Sequence, residues 1–214
     1  MLLDLKTSAP VYSGFDFYSN LTLSGHMEFF SRLEKGLSKA GININDIHTE
    51  PAQGQFEINY EPPWGILGAD WPFMIRQALK ESALKEGLLA NFMGRPWSKD
   101  GDMRDHCGNG AHFNHSIWDL EGSRNLFRDE KKPDKVSNLA LHWVAGLVKN
   151  MDAMTALLCP TVNCYRRIEG PWGPNLSTWG VDDRLSTIRV KNFGKTSTYI
   201  ENRLPSGLVN PYPK

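Results

Sequence analysis

The stretch GNGAHFNHSIWD, residues 108–119, decides how this chain is read. From His112 onward it alternates polar and apolar residues, the signature of a strand with one wet face. Successive side chains of a strand point to opposite faces. His112, Asn114 and Ser116 then share one face, and Phe113, His115 and Ile117 share the other. The two histidines are not partners. His112 belongs to a polar row, while His115 sits among apolar neighbours and is expected to face the core or a helix. Gly108 and Gly110 either turn the chain or let the backbone approach a ligand closely.

The same parity test extends outward. In QFEINY (55–60), Gln55, Glu57 and Asn59 form a polar row opposite Phe56, Ile58 and Tyr60. In TYIENRL (198–204), Glu201 and Arg203 share a face with Tyr199, and LSTIRV (185–190) alternates as well. Glu50 closes the segment DIHTE, and Gly54 marks a bend before Glu57. Helical spacing of apolar residues appears in three places. Residues 24–41 carry Met27, Phe30, Leu33 and Leu37, with Ser24 as cap and Gly41 as stop. Residues 69–87 have Asp70 as cap, Pro72 in the first turn and Gly87 at the end. A third long helix is expected over 137–158, ahead of Pro160, whereas RDEKKPDK (128–135) reads as a solvated loop. Strands and long helices interleave irregularly. That pattern predicts an α+β domain with a mainly antiparallel sheet, polar on one face and packed on helices on the other.

Several strands thus each set a carboxylate or an imidazole on a polar face. A half-barrel lined in this way suits hard divalent cations. A half-solvated antiparallel sheet shows the same alternation, so the pattern alone leaves both readings open. Arg166, Arg167, Arg184, Arg189 and Arg203 fall in or beside the C-terminal strands. Either they converge on an anionic substrate through bidentate contacts, or they pair with surface acids.

Composition narrows the classes. Lys and Arg number 24 against 24 Asp and Glu, giving a formal net charge of +0, which argues against nucleic-acid binding as the main task. Cys107, Cys159 and Cys164 are an odd count without CxxC spacing, so neither a disulfide framework nor a zinc knuckle is implied. The opening MLLDLKTSAPVYSG lacks the basic flank and apolar core of a signal peptide, and no apolar run approaches membrane-spanning length. A reduced, cytoplasmic setting without membrane or nucleic-acid partners is the expectation.

Five segments, in order, now resemble one family. HTEPAQGQFEINY (48–60) resembles the strand–bend–strand of class I glutamine synthetases, in which a Glu, a Gly-Gln pair and a second Glu line a metal site. GNGAHFNHSIW (108–118) resembles their Gly-x-Gly-x-His-x-His-x-Ser segment. NCYRRI (163–168), DDRLSTIRV (182–190) and YIENRLPSGLVNPY (199–212) resemble three further segments, rich in arginine. The motif wording is nearest to the lengsin branch, the glutamine synthetase-like proteins of the vertebrate lens. Each motif alone is weak, but five in sequence are specific.

The resemblance implies the glutamine synthetase catalytic-domain fold, a half-barrel of antiparallel strands wrapped by helices, over residues 1–214. It implies Glu50 and Glu57 as ligands of one Mg²⁺ or Mn²⁺, and His112 and Glu201 as ligands of a second. Gly108, Arg167, Arg184 and Arg203 match glutamate-binding positions, Arg184 with a catalytic role, and Asn114, Ser116 and Arg189 match positions near the phosphates of ATP. The implied reaction is ATP-dependent ligation of ammonia or an amine to the γ-carboxylate of glutamate through γ-glutamyl phosphate, in a homo-oligomeric ring.

Departures from the family pattern point the other way. Asn114 stands where the family has its second His, and Thr198 replaces an Arg. Trp172 lies close to the position of a loop Glu that helps bind ammonium. SKDGDMRDHC (98–107) is an insertion, with Cys107 where an Asn is usual. The resemblance also leads one to expect a Glu-x-Glu strand that completes both metal sites and a small N-terminal domain that closes a neighbour's active site, and neither finds a counterpart in residues 1–50. The isolated chain is therefore expected to have little activity. The alternative reading is an inactive, lengsin-type relative with a structural or partner-binding role.

Overall fold

A computed structural model describes residues 1–96, 107–170, 173–194 and 197–213. Trp172 and most of the insertion lie outside the described residues. The chain is α+β and divides into two compact units, 1–109 with 211–213, and 110–210.

The first unit holds β1 (Leu2–Asp4), α1 (Asn20–Ser24), α2 (Met27–Lys39), β2 (Ile44–Thr49), β3 (Phe56–Tyr60), α3 (Leu67–Lys85) and β4 (Leu88–Ala90). β1 pairs with β4 and β2 with β3, both antiparallel. Phe30, Leu33 and Leu37 of α2 and Ile75, Leu79 and Ala83 of α3 recur at helical spacing and share one buried cluster with Ile42. This is why both helices hold, since burial of an apolar stripe supplies most helical stability in a protein. Met27, expected in that stripe, is exposed, and Phe29 is buried in its place. Ser24 does not cap α2. It ends α1, its hydroxyl donating to the Asn20 carbonyl at 2.7 Å. Helix α3 begins at Leu67, ahead of Asp70, through turns closed on the Gly65 and Ile66 carbonyls. Asp70 is therefore a first-turn acid and not the cap.

The second unit holds β5 (Phe113–His115), α4 (Asn138–Lys149), α5 (Met151–Leu158), α6 (Val162–Ile168), β6 (Trp179–Val181), β7 (Ile188–Asn192) and β8 (Thr198–Asn202). The sheet order is β5-β8-β7-β6, with β6–β7 parallel and the other two pairings antiparallel. Its core joins Ile188, Val190 and Ile200 from the strands to Ala140, Val144 and Leu158 from the helices, around Phe127. The helix expected over 137–158 is two helices. Asn150 breaks it, because its side-chain amide donates to the Gly146 carbonyl at 2.8 Å and competes for a helical acceptor. Ser137 caps α4, accepting from the Ala140 N–H at 3.1 Å. No helix among the described residues is long and apolar enough to cross a membrane.

Candidate functional site

In the first unit the β2–β3 hairpin builds a cation-type cluster. The β2 parity puts Asp46, His48 and Glu50 on one side of the chain. The ladder register pairs His48 with Glu57 across the strands. His48 Nε2 lies 3.0 Å from Glu50 Oε1 and 3.9 Å from Glu57 Oε2. One donor atom from each of the three lies within 4.8 Å of the others.

Gly54 closes the hairpin with φ +62°, and a Cβ there would stand 2.5 Å from the Leu2 carbonyl oxygen. Only glycine fits. Tyr12 fixes the same turn, its hydroxyl reaching the Glu50 and Ala52 carbonyls at 3.2 Å. Gln55 ties the turn to the Gly-x-Gly segment, donating to the Gly108 carbonyl at 3.0 Å and to Asn109 Oδ1 at 3.1 Å.

The electrostatics of this cluster are incomplete. Burial, and then the charge of Glu57, raise the Glu50 carboxyl to about 7, and His48 offsets only part of that. Two carboxylates and an imidazole held together with too little positive charge form a donor set that fits a divalent cation.

The second unit holds a different arrangement. Glu201, on β8 and buried, is ringed by positive and donor groups. Arg189 Nη1 lies 3.3 Å from its Oε2, and Arg203 Nη1 and His112 Nδ1 lie 3.3 Å and 3.2 Å from its Oε1. Burial raises the Glu201 carboxyl, but the His112 hydrogen bond and charge, with Arg203 and Lys191, outweigh it and bring it down to about 2. Arg189 also pairs with Asp182, and its buried Nε has no hydrogen-bond partner. Both Glu201 oxygens are thus already engaged. As a cation site this pair does not fit as it stands, having two donors turned toward each other.

The other expected residues are distributed unevenly. Asn114 pairs across the ladder with Glu201 and is exposed. Ser116 accepts from Trp118 Nε1 at 2.9 Å. Arg167 is buried and spends its guanidinium on the Arg203 and Leu204 carbonyls, each at 2.9 Å, as an internal clamp. A Cβ at Gly110 would stand 2.7 Å from Arg167 Nη2, so the second glycine of Gly-x-Gly makes room for that clamp. Arg184 lies exposed in the β6–β7 turn. Thr198 is buried and accepts from Arg128 Nη1 at 3.3 Å. His115 is indeed separate from His112, accepting from Trp143 Nε1 at 2.8 Å beside the Phe113 and Phe127 rings.

The model of the glutamine synthetase catalytic domain matches residues 10–213. The chain belongs to that family. It is 37% identical over 206 residues to a glutamate–methylamine ligase of Methyloversatilis universalis, covering 91% of this chain and 43% of that protein. Lengsin of Canis lupus familiaris is 31% identical over 202 residues, covering 92% of this chain and 33% of the other. The solved structure of a GmaS/ADP complex superimposes with a TM-score of 0.84 at 28% identity, covering 99% of this chain and 49% of that one. The chain spans less than half the length of the curated relatives it matches. Glutamine synthetases, glutamate–amine ligases and lengsins all stand among its relatives.

Within this glutamine synthetase-type unit, His48 and Asp46 join the cluster although the motifs assign them no role. The signal was present: DIHTE alternates, and parity groups Asp46 and His48 with Glu50 once the segment is read as a strand. Alternation sets Gln55 in a polar row, but its role as the tie to Gly108 depends on a tertiary contact that no local pattern encodes.

Proposed function

We propose that the chain is the catalytic part of a glutamate–ammonia or glutamate–amine ligase, a single catalytic-domain assignment over residues 1–214. The observation that carries this reading is the under-compensated Glu50–Glu57 pair with His48, a cation site assembled on one hairpin. Glu50 and Glu57 hold a Mg²⁺ or Mn²⁺ ion. When bound, such an ion supplies charge compensation for phosphate oxygens.

The chain's own residues do the rest. Arg189 and Arg203 are donors held rigid by Glu201, suited to carboxylate and phosphate oxygens. Arg189 with Asn114 and Ser116 takes the phosphates of ATP. Arg203 and Arg184 take glutamate, with buried Arg167 holding the Arg203 backbone through its carbonyl. Of these, exposed Arg184 is free to swing onto the transferring phosphoryl group. The glutamate γ-carboxylate oxygen attacks the γ-phosphorus of ATP and ADP leaves; ammonia or an amine then attacks the acyl carbon, and phosphate leaves. A second cation at His112 and Glu201 rests on the family resemblance alone, and no step is derived from it.

A homo-oligomer in the cytoplasm completes the reading. Its support is the family resemblance.

The second reading is a non-catalytic relative of the lengsin kind with structural partners. It is favoured by Asn114 at the family's histidine position and by Thr198, which the fold uses for packing against Arg128.

Glutamate-dependent ADP release by the full-length protein, with ammonia, methylamine or no amine, separates the two. Release that depends on Glu57 and on one amine supports the ligase. A folded protein silent with every amine supports the lengsin-like reading.

A further inference from the structure

The cation reading of the first unit leaves one side chain unexplained. His48 is nearly buried, its side chain only 9% exposed, and it is clamped from three directions. Asp46 Oδ2 lies 2.6 Å from its Nδ1. Tyr18 stacks on the imidazole face, with centroids 4.4 Å apart and planes 22° from parallel. Across the ladder stands Glu57.

With Nδ1–H donating to Asp46, the remaining ring nitrogen is Nε2, aimed at the two glutamates. One lone-pair atom each from His48, Glu50 and Glu57 then lies within 4.8 Å of the other two, the spacing of ligands around one ion. A proton on Nε2 satisfies the 3.0 Å contact to Glu50 and reaches Glu57 only at 3.9 Å. A cation among the three satisfies all of them. The carboxylate–histidine–metal chain is the usual way a protein fixes the tautomer and orientation of a histidine ligand.

We propose that His48 is a third protein ligand of the first-unit cation, oriented by Asp46, and that its nitrogen biases the site toward Mn²⁺ and later metals over Mg²⁺. The inference rests on the proposed binding of a cation by Glu50 and Glu57. The bias follows from ligand type: carboxylate oxygens suit Mg²⁺ and Mn²⁺ alike, whereas imidazole favours the borderline transition metals. It needs no residue of the second unit. The role of Asp46 is positioning, because it touches the imidazole and not the ion.

The test uses Mn²⁺ alone as the probe, one equivalent on the intact protein, read by pulsed electron paramagnetic resonance for coupling to ligand nitrogen. Wild type and His112→Gln are expected to show imidazole ¹⁴N coupling, replaced by ¹⁵N coupling when histidine is isotopically labelled. In His48→Gln the coupling is expected to vanish, with weaker Mn²⁺ binding and a lower ratio of Mn²⁺ to Mg²⁺ affinity. Asp46→Asn is expected to keep the coupling while weakening Mn²⁺ binding on the order of 10- to 100-fold.

Nitrogen coupling absent from wild type, or lost in His112→Gln and kept in His48→Gln, overturns the proposal. If Glu57→Gln still abolishes binding in that case, the two-carboxylate site survives and only His48 is removed from it. Unchanged Mn²⁺ affinity in Glu57→Gln removes the site altogether. Should His48→Gln fail to fold, loss of the nitrogen coupling in the labelled His112→Gln protein still overturns the proposal.

Discussion

Glu50→Gln should make the metal-free protein more stable at pH 8, a gain from removing a charged group of the proposed site. The folded-state pKa of Glu50 is raised from 4.5 to about 7 by burial and by Glu57. Between those two values the native state binds more protons than the unfolded state, so stability falls as pH rises through the window. At about 1.4 kcal/mol per pH unit the whole window corresponds to roughly 3 kcal/mol. The side chain keeps 22% exposure and shares its charge with His48, so we expect about 1–3 kcal/mol in practice. Glutamine removes the charge while keeping an oxygen that accepts from His48. In urea with a chelator, the Glu50→Gln midpoint should exceed wild type at pH 8, by about 0.5–1.5 M for a slope of about 2 kcal/mol/M, and the gap should close by pH 4.5. Saturating Mn²⁺ should reverse the order: a cation at about 100 times its dissociation constant stabilises wild type by about 2.7 kcal/mol and the variant by much less. A variant less stable than wild type at pH 8, or a gap independent of pH, would refute the electrostatic account of the cluster.

Three further predictions concern the second unit. Glu201→Gln should cost about 3–5 kcal/mol in urea unfolding at pH 7, because it leaves Arg189 and Arg203 without their buried counter-ion. Its wild-type contribution, present above the unfolded pKa of 4.5, should fade as pH falls toward about 2, and the two acid-unfolding curves should converge there. Gly110→Ala should push Arg167 off the Arg203 and Leu204 carbonyls and cost about 1–3 kcal/mol per carbonyl left unpaired, read as a drop in melting temperature. Cys159, buried and with its thiol pushed up to about 11 chiefly by burial, should resist iodoacetamide at pH 8 until the protein unfolds; rapid native-state labelling would contradict that.

The elements of regular period were the legible ones. Phe30, Leu33 and Leu37 declared α2, and alternation declared β3, β7 and β8, because one face of each element is buried in the core. Boundaries set by competing hydrogen bonds were not. Asn150 splits a continuous apolar pattern through its own side-chain amide, and Ser24 closes one helix where it looked like the start of the next. At the site, parity correctly separated His112 from His115 and placed Glu57 on a polar row. That Arg167 is an internal clamp, while Arg184 stays in water, follows from tertiary packing and leaves no trace in local spacing. The alternation of DIHTE sets His48 on the side of Glu50, but its place in the cluster depends on the cross-strand pairing with Glu57, which no local pattern encodes.

The most direct measurement is calorimetric titration of Mn²⁺ and ATP into the full-length protein, beside Glu57→Ala and Glu201→Ala. The account predicts metal-dependent nucleotide binding in wild type, loss of the metal dependence in Glu57→Ala, and weakened nucleotide binding in Glu201→Ala. Heat-silent titration of folded wild-type protein, or binding indifferent to Glu57, would contradict it.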